Sequence, residues 1–92
     1  MLRASTPSRD GALQFLTLAR AVAPHSAAVR LLGPVDATMA RRAGRYYAQL
    51  LIESEERTAL HRFIDAWLPE VETLTRAHRV RYALDVDPLD IG

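Results

Sequence analysis

The stretch RRAGRYYAQLLIES, Arg41 to Ser54, decides how this chain is read. From Arg45 onward, Tyr46, Ala48, Leu50 and Ile52 alternate with Arg45, Tyr47, Gln49 and Glu53. Successive side chains on a strand point to opposite faces, so period-two alternation predicts a half-buried β-strand with one apolar and one polar side. The polar side opens on arginine, and the strand ends at Ser54, where Glu55 and Glu56 suit the positive end of a helix dipole.

Beyond Ser54, Leu60, Phe63, Ile64, Trp67, Leu68, Val71 and Leu74 recur in steps of three and four, the spacing of an amphipathic helix. Pro69 lies inside that pattern. Lacking a backbone donor and clashing with the preceding turn, it is expected to kink the helix or split it. RVRYALDVDP then alternates again, with Val80, Tyr82, Leu84 and Val86 on one side and Arg79, Arg81, Ala83 and Asp85 on the other.

Working back from Arg41, VRLLGPVD is a short β-rich run in which Gly33-Pro34 points to an edge strand or a bulge. Before it, Ala12, Phe15, Leu16, Ala19 and Val22 share one helical face, with Asp10 as N-cap and Pro24 as stop. Residues 1–9, polar and rich in Ser, Thr and Pro, read as a flexible lead-in to a single domain over residues 10–92. The predicted order is helix, strand, strand, helix, strand. It implies an α+β two-layer sandwich: a small antiparallel or mixed sheet of three or four strands, both helices on one face and the other face open.

Ninety-two residues support one core, and an apolar content of 49% is that of a folding chain. No apolar run approaches the roughly 20 residues needed to span a bilayer, so a membrane role is not expected and a cytoplasmic location is. Without cysteine there is no thiolate nucleophile and no Cys-based zinc site. Twelve basic residues, all arginine, against eleven acidic ones leave a net charge of +1, so distribution matters more than total. Arg41, Arg42 and Arg45 occupy the acid-free interval between Asp36 and Glu53, and Arg76, Arg79 and Arg81 that between Glu72 and Asp85.

Arg41, Arg42, Arg45, Arg79 and Arg81, with the ring of Tyr47, therefore form a candidate DNA-binding set. A basic groove tracks phosphates while an aromatic ring stacks a base. The structural alternative is a charged strand surface that resists edge pairing. Arg57 and His61, four apart on the second helix, sit at the margin of its apolar stripe. Trp67, Phe15 and Phe63 belong to the core. No Ser-His, paired-carboxylate or metal constellation can be assembled, so independent catalysis is not expected and no metal or cofactor is assigned.

LLGPVDATMARRAGRYYAQLLIES, the helix beginning at Arg57 and the terminal RVRYALDVDPLD together resemble the C-terminal domain of the PriA family of bacterial replication-restart helicases (primosomal protein N′). The likeness runs from about Phe15 to Asp90. It implies a fold similar to a ribosomal small-subunit protein. It also implies a longer parent, an ATP-dependent DNA helicase using ATP, magnesium and zinc, whose helicase lobes would adjoin this segment. This chain has neither the phosphate-cradling Gly-x-x-x-x-Gly-Lys-Ser/Thr nor a cysteine cluster. The implied partners are single-stranded or forked DNA, the single-stranded-DNA-binding protein and other primosome proteins. An arginine and a glutamine in the family hold the acidic tail of the single-strand-binding protein; Arg57 matches the first, and His61 replaces the second. The rival expectation is a stand-alone protein-interaction domain with no nucleic-acid role.

Overall fold

The computed structural model describes residues 1–8, 10–42 and 44–85, with 37–42 described by their backbone alone. Six elements follow in order: β1 (Leu2–Thr6), α1 (Gly11–Ala21), β2 (Val29–Arg42), β3 (Arg45–Ser54), α2 (Arg57–His78) and β4 (Arg81–Leu84). The strands form one antiparallel sheet in the order β2-β3-β1-β4. The fold is α+β, and the five predicted elements occur in the predicted order.

The main correction concerns the amino-terminal end. Leu2–Thr6, within the stretch read as a lead-in, is a central strand of the sheet, pairing with β3 on one side (Leu2↔Leu50, Ala4↔Ala48) and with β4 on the other (Leu2↔Leu84, Ala4↔Tyr82). Leu2 and Ala4 are buried. Five residues are too few to declare a period, and Ala, Ser and Thr carry little hydrophobic signal. Pairing on both edges, not composition, makes this segment a strand.

Leu2, Ala4, Ala48 and Leu50 from the sheet join Ala12, Phe15, Leu16 and Ala19 of α1 and Phe63, Trp67 and Val71 of α2 in one cluster. Both helices therefore cover the same face, as the amphipathic patterns require. α2 spans 22 residues, about 33 Å at 1.5 Å per residue, and β3 spans 10, about 34 Å at 3.4 Å per residue. One helix thus returns the chain along the length of the sheet.

Pro69 neither ends nor splits α2, which is continuous from Arg57 to His78. Its ring is exposed, and the buried Trp67 and Val71 on either side hold the helix to the core. Ser54 does not cap α2 from its first turn. Its hydroxyl accepts from the Glu56 N–H at 3.1 Å in the approach to the helix. Val22, expected on the buried face of α1, lies beyond the helix end and is exposed. Gly33-Pro34 proves to be both edge and bulge: β2 is an outer strand, and its register with β3 shifts between Leu32 and Val35. The Arg20 guanidinium of α1 donates to the Gly33 carbonyl, tying the helix layer to that bulge.

The entry to α1 is tight. A Cβ on Gly11 would lie 2.5 Å from Ser8 Oγ and 2.7 Å from Thr6 Oγ1. Thr6 is buried, and its hydroxyl donates to the Ser8 carbonyl at 2.8 Å, so it cannot simply swing away. Gly11→Ala gains at most about 1 kcal/mol of helix propensity, against overpacking that costs roughly 1–3 kcal/mol. The variant is expected to be net destabilised by about 1 kcal/mol, read as a lower urea midpoint at unchanged slope.

Candidate nucleic-acid interface

On the side of the sheet away from the helices, register sets the order of residues. Arg81 of β4 pairs with Ser5 of β1, and Ser5 pairs with Tyr47 of β3. Arg45, two residues before Tyr47, falls on the same face. The Arg45 side chain folds back across the sheet: Nε donates to Ser5 Oγ at 3.1 Å and Nη2 to the Ser5 carbonyl at 2.8 Å. Ser5 is buried beneath it. Two hydrogen bonds orient the guanidinium, which is only half-buried. Among the described residues, no carboxylate forms an ion pair with Arg45, Arg79 or Arg81.

Arg45, Tyr47 and Arg81 are thus brought together around Ser5 at one end of the open face. Arg79 is not in a strand, as the alternation had suggested. It caps α2 in the left-handed conformation (φ 52°, ψ 50°), exposed on the turn two residues before Arg81. A helix that must reverse into β4 has to break its pattern somewhere, and arginine occupies that point instead of the usual glycine. Arg42 pairs by backbone with Arg45, and Arg41 with Tyr46. Their side chains lie outside the described set, as do Val86, Asp87 and Asp90.

β1 adds a residue that sequence reasoning missed. Arg3 pairs with Gln49 on β3 and Ala83 on β4, one step along the same face from the Ser5 row. Its Nε lies 3.4 Å from Asp85 Oδ2. The available signal was the alternation of Leu2 and Ala4 with Arg3 and Ser5, too brief to stand out. Farther along, the face turns apolar: Leu32 and Leu51 are paired, Val35 lies opposite Gln49, and the three are 47%, 37% and 51% exposed. Beyond them Arg30 and Glu53 form an ion pair at 3.7 Å.

Arg57 and His61 sit on the exposed side of the first turns of α2, among side chains that do not enter the core. Arg57 follows the end of β3 by three residues, whereas Arg45 begins that strand. The two candidate sites therefore occupy opposite ends of the sheet and are separate surfaces. Just before Arg57, a shallow depression of about 260 Å³ is lined by Ala27, Ala28, Arg30, Ser54 and three glutamates, Glu53, Glu55 and Glu56. Among the described residues no helix is long and apolar enough to cross a membrane. No group of three His, Asp or Glu among them is placed to hold a metal ion.

The model of one protein family, the primosomal protein N C-terminal domain, matches residues 1–89. The replication restart protein PriA of Haemophilus influenzae is 33% identical over 64 residues, which are 70% of this chain and 8% of that protein. The chain thus spans less than a tenth of the length of this relative.

Proposed function

The chain belongs to the primosomal protein N C-terminal domain family, and on that premise we propose that it is a non-catalytic module of a replication-restart helicase that grips single-stranded or branched DNA with the open face of its sheet. The observation that carries this reading is the fixed Arg45 guanidinium, flanked by Tyr47 and Arg81 and without a carboxylate partner among the described residues. A phosphate chain tracks such charges while a base stacks on the ring. ATP, magnesium and zinc belong to the parent protein and not to this segment.

The test is a titration of fluorescein-labelled oligothymidylate into the domain at several salt concentrations. Binding is expected to weaken as salt rises, with log K falling by about 0.7 per phosphate contact for each decade of salt. Absent or salt-independent binding would overturn the reading.

A second role lies at the other end of the sheet. Arg57 presents a planar fork suited to a terminal carboxylate, and His61 adds a donor one turn on. Together they would help dock the acidic tail of the single-stranded-DNA-binding protein. The three glutamates beside them oppose an acidic ligand, so the helicase lobes of the parent would complete the pocket. In the full-length protein, Arg57→Ala is expected to weaken binding of a tail peptide about tenfold or more, the loss of a charge-assisted bidentate contact worth about 1.5–3 kcal/mol. Fluorescence anisotropy checks it, and equal affinities would remove the role.

One observation favours a different use of the face. The exposed Leu32, Leu51 and Val35 resemble a protein-contact surface more than a nucleic-acid one. A stand-alone protein-interaction domain would bind through them and ignore salt.

A further inference from the structure

Arg3 lies in the middle of the open face yet engages a carboxylate, unlike its neighbours Arg45 and Arg81. Around Ser5, the face therefore holds one arginine with a carboxylate beside it and two without an ion-pair partner among the described residues. The offsetting contact is weak. At 3.4 Å it is longer than the 2.7–2.9 Å typical of a charge-assisted hydrogen bond, and the two side chains are 60% and 56% exposed. The contact runs through Nε, and most of the Arg3 side chain stays open to solvent. Asp85 is fixed by its backbone, whose N–H donates to the Met1 carbonyl at 2.9 Å. The carboxylate thus stays at the sheet edge when the flexible arginine turns away.

Arg3 is also well placed for a polyanion. It stands two residues from Ser5, about 7 Å along the strand from the row of Arg81 and Tyr47. A phosphate chain crossing that row can reach it directly.

We propose that Arg3 is a further phosphate-contacting residue of this face and that Asp85, by holding it, sets how densely charged a ligand must be to be bound. The proposal rests on the nucleic-acid reading above. A run of adjacent phosphates displaces Asp85, because the pair is exposed and each new phosphate contact also releases counterions. An isolated carboxylate or monophosphate merely exchanges one weak partner for another. A polynucleotide, with its closely spaced phosphates, is the ligand class this arrangement selects over lone anions, and Asp85 is a specificity determinant even though it need touch no ligand.

The experiment compares the wild type, Asp85→Asn, Arg3→Ala and the double variant, titrated with fluorescein-labelled oligothymidylate across a salt series, with melting curves to verify folding. Asp85→Asn preserves side-chain shape and backbone bonding, and is expected to bind about two- to fivefold tighter at low salt. Its salt dependence should match the wild type, because Arg3 meets a phosphate in both, whereas Arg3→Ala should flatten the slope by about 0.7, one phosphate on a single strand. In the Arg3→Ala background, replacing Asp85 should leave affinity nearly unchanged. Equal tightening by Asp85→Asn in both backgrounds, or an Arg3→Ala slope equal to that of the wild type, would mean that Asp85 only repels phosphates, which overturns the role of Arg3. Unchanged affinity in Asp85→Asn would overturn the proposal while leaving the wild-type interface standing. A wild type that binds without salt dependence removes both.

Discussion

Trp67→Ala is expected to lower the melting temperature of the domain by roughly 15–30 °C, the largest stability effect of any single substitution considered for this fold. Trp67 is fully buried, the largest side chain in the core. Its indole N–H donates to the Ala19 carbonyl of α1 at 2.8 Å, and its ring packs against Phe63 with centroids 5.2 Å apart. It thus joins the two helices both by packing and by a hydrogen bond at the end of α1. Large-to-small substitution of a buried aromatic costs about 3–5 kcal/mol, and loss of the indole also leaves a buried carbonyl without its donor. Domains of this size are stable by only about 5–15 kcal/mol, so much of the margin disappears. Trp67→Phe retains most of the ring and should lose about 1–2 kcal/mol, chiefly the hydrogen bond. Differential scanning calorimetry of the two variants separates packing from bonding. Equal melting temperatures for wild type and Trp67→Ala would refute the role assigned to this side chain.

The second large effect concerns ligand binding. Arg45→Ala combined with Arg81→Ala is expected to reduce affinity for oligothymidylate on the order of 20-fold at about 0.1 M salt. The magnitude follows from removing two single-strand phosphate contacts, which flattens the salt slope by about 1.4 over the decade below 1 M. The two are not equivalent. Arg45 is pre-oriented by Ser5, so little side-chain freedom is lost when it meets a phosphate. Arg81 is exposed and without an ion-pair partner among the described residues, and it must be ordered on binding. Arg45→Ala should therefore account for the greater part of the loss. Neither side chain is part of the buried core, so the variants are expected to melt within a few degrees of wild type. Unchanged affinity in a folded double variant would refute the interface.

These effects were unevenly legible in the sequence. The two faces of β3 and the buried faces of α1 and α2 follow from period and spacing, because each element is long enough for its pattern to recur. Arg45, Tyr47 and Arg81 were placed on one face by the same parity. What escaped was set by pairing between distant segments. β1 is short and built largely from small side chains, and its central position depends on β3 and β4, forty residues or more away. Arg3 and Ser5 were hidden with it. Parity assigns Arg79 to a strand, although the helix ends there in a left-handed turn. The local effect of Pro69 predicts a break, while the buried residues on either side hold the helix continuous.

The placement of β1 also has a consequence for how the chain acquires its structure. Leu2 pairs both with Leu50 and with Leu84, so β1 is zipped on its two margins by segments 48 and 82 residues further on. During synthesis, β1, α1, β2 and β3 can leave the ribosome in sequence, but the outer margin of β1 stays unzipped until Leu84 has emerged. Such distant closures make folding slow relative to helical domains of equal length. A nascent chain arrested before β4 would present an unprotected strand margin to its neighbours, which makes the interval before β4 emerges the one in which this domain is most exposed to aggregation.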